Sequence, residues 1–121
     1  MSRMTPTPSE IITATVTAWP GVEAGHGERG EFGFRVGRRE IGHLHGDRVA
    51  HFAFPKAIRA ELLEQGRIVP HPVPSPGLGA RRIAEDADVD EVIALMRLNY
   101  ERVMARSSDS RSASTVPGSA A

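Results

Sequence analysis

The chain has no cysteine among its 121 residues, and it has no long hydrophobic run. The first absence excludes a disulfide framework, a thiolate nucleophile and a cysteine-ligated metal. The second argues against a membrane-spanning helix, which needs about 18 consecutive apolar residues. The first residues also lack the apolar stretch of a secretory signal peptide. We therefore expect a cytoplasmic protein with no membrane partner.

The chain also lacks an excess of charge of either sign, because its 15 basic and 15 acidic residues give a formal net charge of +0. Strong non-specific binding to DNA requires a clearly basic domain, so this balance argues against it. Lys56 is the single lysine, and the other basic residues are all arginine. Arginine makes planar, bidentate contacts with carboxylates and phosphates. This bias leaves two interpretations open, an arginine-lined binding surface and a genome of unusual composition.

Sequence motifs of common catalytic sites are absent. There is no Gly-x-Ser-x-Gly, no phosphate-binding glycine-rich loop before a helix, and no pair of carboxylates on one helix face. Asp47 lies close to His45 and Arg48, but at the tip of a predicted hairpin, where water has free access. Catalysis needs a pre-organised, desolvated site, and turn chemistry explains Asp47 more simply. We predict no catalytic residue and no cofactor.

What the sequence does contain is a segment, 31–54, that predicts an antiparallel β-meander. Apolar residues occupy every second position of its first part, at Phe32, Phe34 and Val36, which is typical of a half-buried strand. Gly37-Arg38 and Gly46-Asp47 each fit a two-residue turn with glycine first. The three predicted strands are 31–36, 39–45 and 48–54.

Two such turns fix which side chains share a face of the sheet. The first turn pairs Gly33 with Gly42. The second pairs Gly42 with His51 and His43 with Ala50. The predicted core face carries Phe32, Phe34, Val36, Ile41, Ala50, Phe52 and Phe54. The polar face then has bare backbone at the two glycines, where a ligand or another segment can approach closely, and Leu44 and Val49 lie near its tip.

The flanking segments predict helices and further strands. Thr7-Pro-Ser-Glu10 is a capping box for a helix that runs to about Ala18. A second helix begins at Pro55 and ends at Gly66. Short strands are predicted at 22–24, 67–69 and 78–83, and a final helix at 89–105 with an apolar stripe.

The predicted fold class is α+β. It has an N-terminal helix, an antiparallel meander of three to four strands, a helix, two further strands and a C-terminal helix, with the helices packed on one face of a single sheet. We expect residues 1–6 to be a flexible N-terminus and 7–106 to form one domain. The tail, 107–121, is rich in serine, glycine and alanine, a composition typical of disorder.

The run Glu40-Ile-Gly-His-Leu-His-Gly-Asp-Arg-Val-Ala-His51 resembles the bacterial luciferase-domain family, a domain of unknown function. The resemblance covers roughly residues 19–102, and its other matching segments are Trp19-Pro-Gly-Val22, Phe54-Pro55, Pro70-His71 and Leu98-Asn-Tyr-Glu-Arg102. Gly-His-x-His is its most specific part. Leu78 stands where the family would have an aromatic residue. The family name does not establish light emission, and no pattern here indicates an oxygenase site or a flavin pocket.

A weaker resemblance is to the MmcQ/YjbR family. The chain shares its order of elements, a polar turn followed by Arg48-Val49, a helix that starts at proline, and a closing helix with a tyrosine near its end. That family is similar to nucleic-acid-binding proteins of the double-wing shape. The resemblance therefore implies, at the level of fold alone, a possible nucleic-acid partner.

The histidines are the candidate metal ligands. His43 and His45 are two apart on a strand and share a face, and His71 or His51 could complete a site. The predicted register, however, puts His51 on the opposite face and gives His43 the neighbours Phe32 and Ala50. We therefore predict structural histidines and no bound metal.

Our leading hypothesis is a small non-enzymatic domain that binds a small ligand or a protein partner through its polar face and a proline-rich loop, residues 70–77. The predicted ligand-binding residues are Gly33, Gly42, His43, His45, Arg48, His51 and His71. Two alternatives stay open. One is a nucleic-acid-associated protein that uses the arginines of the hairpins, Arg35, Arg38, Arg39 and Arg48. The other is a metal-dependent enzyme built on His43, His45 and His71.

Overall fold

Helices and strands follow one another along the chain in the predicted order. The computed structural model describes residues 5–73 and 77–120, the last segment from 107 onward by its backbone alone. Its elements are α1 (Pro8–Val16), β1 (Val22–His26), β2 (Phe32–Val36), β3 (Arg39–His45), β4 (Val49–Ala53), α2 (Lys56–Glu64), β5 (Val69–Pro70), β6 (Leu78–Arg82) and α3 (Asp86–Ala120). The strands form one antiparallel sheet in the order β1-β2-β3-β4-β6-β5. The α+β prediction is confirmed.

One face of the sheet is buried against the helices, and we call the opposite side the outer face. Phe34, Ile41 and Ala50 are 0% exposed and Phe52 is 1% exposed. The helices cover them with a single cluster of side chains that includes Ile12, Val16, Leu62, Val92, Leu95 and Met96. The predicted burial of Phe34, Ile41 and Phe52 is confirmed. Alternation along β2 and β4 identifies the buried side of Phe34 and Phe52 correctly.

Two sets of hydrogen bonds hold the start of α1, one within its N-terminal cap and one to the β3–β4 loop. The side chain of Thr7 accepts from the Glu10 backbone N–H, and Glu10 Oε1 accepts from the Thr7 backbone N–H, which confirms the capping box. Ser9 donates its backbone N–H to Asp47 Oδ1 at 2.8 Å. Asp47 therefore joins the β3–β4 loop to the helix, in addition to lying in a turn.

The predicted register between β2 and β3 is wrong beyond the turn. Arg35 pairs with Glu40, as the predicted two-residue turn at Gly37-Arg38 requires, but Phe34 then pairs with Gly42, so Ile41 is the extra residue of a β-bulge. Because a bulge puts two residues of one strand opposite one of its partner, Ile41 and Gly42 both lie on the core side. Gly33 pairs with His43, and the predicted pairing of Gly33 with Gly42 does not exist.

The register between β3 and β4 differs by one residue as well. The loop has three residues, 46–48, rather than the predicted two, so His45 pairs with Val49 and His43 pairs with His51. The prediction that His43 and His51 lie on opposite faces is therefore wrong. Leu44 is only 2% exposed, so its predicted place at the tip of the polar face is wrong too.

Side chains of α3 fit the bulge from the core side. A Cβ atom at Gly42 would lie 2.7 Å from Met96 Sδ and 3.0 Å from Phe52 Cδ1, so the missing side chain makes room for Met96. Asn99, which is 0% exposed, donates from Nδ2 to the carbonyls of Ile41 at 3.2 Å and Ala53 at 3.0 Å. The carbonyl of the bulge residue, Ile41, thus has the partner that a buried acceptor requires.

The ends of the chain fall largely outside these tests. The predicted flexible N-terminus includes residues 1–4, which lie outside the described residues, as do 74–76 of the proline-rich loop. The backbone of α3 continues to Ala120, beyond the predicted end near Ala105, and the disorder of 107–121 stays a prediction. Among the described residues, none of the helices combines the length and the apolar character needed to cross a bilayer.

A candidate ligand site on the outer face of the sheet

The two register corrections bring the histidines together on the outer face. One row of paired residues crosses the sheet there, in the order Gly25, Gly33, His43, His51, Ala80 and Val69. His45 lies two residues after His43 on β3 and therefore faces the same way. The immediate neighbours of the histidine pair in this row are glycine and alanine. Their small size leaves space around the imidazoles.

The imidazole rings contact one another. The ring centroids of His43 and His45 lie 5.0 Å apart, those of His43 and His51 5.2 Å, and those of His45 and His51 4.5 Å. One ring nitrogen from each of these three side chains lies within 4.8 Å of the other two. His71, which follows β5, packs against His51 with a centroid distance of 4.2 Å.

Hydrogen bonds orient the rings of His71 and His51. The backbone N–H of Val73 donates to His71 Nδ1 at 2.9 Å. A neutral histidine that accepts at Nδ1 carries its proton on Nε2. His71 Nε2 lies 3.1 Å from His51 Nδ1, so we assign the proton of that bond to His71. In this arrangement His51 also holds its own proton on Nε2.

A hydrogen bond to the carboxylate of Glu40 orients the ring of His43. His43 Nδ1 lies 2.9 Å from Glu40 Oε2, so Nδ1–H donates to the carboxylate. Residues three apart in a regular strand point to opposite faces. Glu40 and His43 share the outer face because the bulge at Ile41 lies between them. The bulge thus creates the carboxylate–histidine pair.

The electrostatics of the cluster favour uncharged imidazoles at His51 and His45. Burial, reinforced by the neighbouring histidines His71, His45 and His43, lowers the pKa of His51 to about 4. Desolvation and the charge of His43 also lower the pKa of His45. Since neutral imidazole has a lone pair on one nitrogen and a proton on the other, His51 both donates and accepts at neutral pH.

The four histidines line a cavity of about 350 Å³, which we call the histidine cleft. Its polar rim includes Glu31, Glu40 and Arg29, and its apolar wall includes Val73 and Leu78. Such a volume lies at the lower end of the range for small-molecule sites, roughly 300–1,000 Å³. Leu78, at the position where the resemblance led us to expect an aromatic residue, is part of this wall.

The structure brings together some of the predicted site residues and separates others. His43, His45, His51 and His71 line the histidine cleft, and Gly33 stands next to His43 in the same row. Gly42 lies on the core side against Met96. Arg48 lies in the β3–β4 loop and is not among the lining residues of the cleft. Sequence reasoning did not propose Glu31 and Glu40 as site residues, because the predicted register put His43 on the core face, away from Glu40.

A second, larger cavity lies between α1 and the sheet. It has a volume of about 580 Å³ and is lined by Thr13, Ala14, His26, Phe32 and Leu44, among others. His26, the fifth histidine, is exposed and lies at the end of β1. Its described lining residues include two titratable side chains, Glu10 and His26, against the four histidines of the cleft, so the smaller cavity is the better candidate site.

Comparison with known proteins supports the predicted family. No curated protein and no solved structure matches the chain. The resemblance to the MmcQ/YjbR family stays a prediction. A family model described as the luciferase domain matches residues 38–99, just over half of the chain, and this segment contains His43, His45, His51 and His71. The chain therefore belongs to the luciferase-domain family.

Proposed function

We propose that this luciferase-domain protein is a ligand-binding module and that the histidine cleft is its binding site. One observation carries the proposal: four imidazoles from β3, β4 and the segment after β5 converge on a single cavity. Imidazole nitrogens act as hydrogen-bond donors and acceptors. Four such rings around one cavity therefore favour a binding role over a purely structural one.

The lining residues define the chemistry of the ligand. The histidines offer donors and acceptors, Arg29 offers a cation, and Glu31 and Glu40 offer anionic acceptors. Val73 and Leu78 add a small apolar wall. This combination fits a small polar molecule that carries both donors and acceptors, and it assigns no catalytic residue.

The arrangement of the arginines does not favour the nucleic-acid alternative. Arg38 and Arg39 lie at the β2–β3 turn, at one end of β3, and Arg48 lies in the loop at its other end. A seven-residue strand separates these ends by about 20 Å. Arg35 lies opposite the acidic Glu40 in the pairing of β2 with β3. The hairpin arginines thus do not form one continuous basic surface.

A thermal-shift screen of the full chain tests the proposal. The compounds are small carboxylates, phosphates and nitrogen heterocycles, each screened once with a chelator and once with Zn²⁺. We expect at least one compound to raise the melting temperature by several degrees. His51→Ala and His45→Ala should abolish that shift, and His26→Ala should preserve it because His26 lies outside the histidine cleft.

A variant of the second cavity, the one between α1 and the sheet, defines the result that would contradict the proposed binding site. Ala14→Trp puts a large side chain into that cavity, which shares no described lining residue with the histidine cleft. If the stabilising compounds lose their effect in Ala14→Trp and keep it in both histidine variants, the ligand site lies under α1 and the proposal is wrong.

A further inference from the structure

Three histidines of adjacent strands present nitrogen donors at the spacing of a metal site. One nitrogen each from His43, His45 and His51 lies within 4.8 Å of the other two. With metal–nitrogen distances of 2.0–2.1 Å, two ligands of one tetrahedral ion lie about 3.3 Å apart. Each pair therefore has to close by about 1.5 Å at most. We propose that the histidine cleft binds a divalent transition-metal ion through His43, His45 and His51.

This proposal deepens the proposed function and rests on it, since the metal would occupy the same cleft. Pairing of His43 with His51 fixes the backbone of both residues. The approach thus needs only rotation of side chains. His45 is exposed at the end of β3 and has room to rotate toward the other two.

Glu40 forms with His43 the kind of hydrogen bond that usually orients a metal-ligating histidine. Metal-ligating histidines almost always donate their second ring N–H to a carboxylate, a carbonyl or water, which fixes the tautomer. His43 Nδ1 lies 2.9 Å from Glu40 Oε2. This contact keeps the proton on Nδ1 and leaves the lone pair of Nε2 for a metal ion.

His71 acts as a competitor of the metal rather than as a ligand. Its Nδ1 accepts from Val73, so its Nε2 carries a proton and has no lone pair to offer. This N–H donates a hydrogen bond to the lone pair of His51 Nδ1. If the metal binds this nitrogen, it displaces the bond from His71. If it binds Nε2 instead, His51 must move its proton to Nδ1, which then faces the N–H of His71. Either way, the bonds of His71 have to change.

The ligand set also indicates which metals fit. Imidazole nitrogen suits zinc, copper, nickel and iron, whereas calcium and magnesium prefer oxygen ligands. Three protein ligands leave a fourth tetrahedral position for water or for an oxygen or nitrogen atom of the small ligand. Among the described residues that line the cleft, Glu31 and Glu40 supply two carboxylates and Arg29 supplies one guanidinium, and this balance favours a cation in the cleft.

The test is a titration of untagged, chelator-stripped protein with Co²⁺ and Zn²⁺. Co²⁺ binding is followed by visible absorption and Zn²⁺ binding by calorimetry. We expect about one ion per chain, the loading of a single three-histidine site. His43→Ala, His45→Ala and His51→Ala should lose it, and His26→Ala should bind like the wild type. Glu40→Gln should weaken binding about 10–100-fold, and His71→Ala should bind at least as tightly as the wild type.

Controls keep the proposal open to refutation. Circular dichroism with chelator present checks the folding of each variant, and glutamine replaces alanine at any position where the fold is lost. No binding by the wild type, or equal binding by all three ligand variants, would overturn the metal site. Loss of binding in His71→Ala would overturn the assignment of ligands.

The experiment also separates this inference from the proposed function. If Co²⁺ and Zn²⁺ fail to bind while polar compounds still bind the histidine cleft in chelated protein, the metal inference is wrong and the proposed function stands. If neither the metal ions nor the compounds depend on the cleft histidines, both are wrong.

Discussion

Two glycines that were predicted to pair illustrate how much depends on single residues. A Cβ atom at Gly42 would lie 2.7 Å from Met96 and 3.0 Å from the Phe52 ring, inside the core. At Gly33 the nearest atom is Glu40 Oε1 at 3.3 Å, the end of a flexible side chain on the outer face. Gly42 is therefore required by packing, whereas Gly33 borders the histidine cleft.

This difference gives a matched pair of variants. Gly42→Ala should destabilise the protein by about 1–3 kcal/mol because it overpacks the core, and Gly33→Ala should have a smaller effect. Urea unfolding of both variants measures the difference. Equal stabilities would contradict the placement of Gly42 on the core side.

The lowered pKa of His51 makes stability depend on pH in the metal-free protein. Its folded-state pKa is about 4, against an ordinary 6.5, so the unfolded chain binds more protons between these values. Stability should therefore fall as the pH drops from about 6.5 to about 4. His51→Gln should flatten part of that slope in thermal melts with chelator present. An unchanged slope would mean that His51 titrates normally.

At the scale of elements, β3 serves both faces of the sheet. Ile41, Gly42 and Leu44 meet the helices, and His43 and His45 enter the histidine cleft. The bulge makes this division possible, and Asn99 of α3 satisfies the carbonyl of its extra residue. The core contact and the ligand site are thus coupled through one strand.

Replacing the side-chain amide of Asn99 tests how much its hydrogen bonds to Ile41 and Ala53 contribute to stability. Asn99→Asp keeps the shape but leaves the carbonyls of Ile41 and Ala53 without their donor. Each unsatisfied group costs about 1–3 kcal/mol, so we expect the loss of the two bonds to cost about 2–6 kcal/mol. Arg102→Met is the control, because it removes only the bonds that Asn99 Oδ1 accepts. Denaturant unfolding should show the larger loss in Asn99→Asp. A smaller loss than in the control would contradict the account.

The elements themselves were predictable because their signals are local. Alternation identified β2 and β4, and the capping box identified α1. The bulge was not predicted, because contacts distant in sequence, from Met96 and Asn99, stabilise it. One signal was available: Ile41 and Leu44 are both apolar and three apart, a spacing that a regular strand cannot bury on one face.

The site was predictable in composition but not in geometry. His43, His45, His51 and His71 were identified as candidates from residue type and spacing. Their convergence depends on a one-residue bulge and on a three-residue rather than a two-residue loop. Each of these features moves every later side chain to the opposite face. The predicted register therefore separated His51 from His43 and led us to expect no metal.

At the scale of the whole molecule, the inner face of the sheet carries the core that stabilises the fold, and the outer face carries the proposed binding site. Its inner face, packed on the three helices among the described residues, carries the buried core. Its outer face carries the histidine cleft, whose lining side chains are mostly half-buried or exposed. Variants of the cleft should therefore alter binding while the fold persists.

Diffraction at the zinc absorption edge, from crystals of the untagged protein grown with Zn²⁺, tests the central claim most directly. We expect an anomalous peak in the histidine cleft, with one nitrogen each of His43, His45 and His51 about 2.0–2.1 Å from it. Crystals of His51→Ala should lose this peak. An empty cleft beside intact side chains, or zinc bound only at His26, would contradict the account.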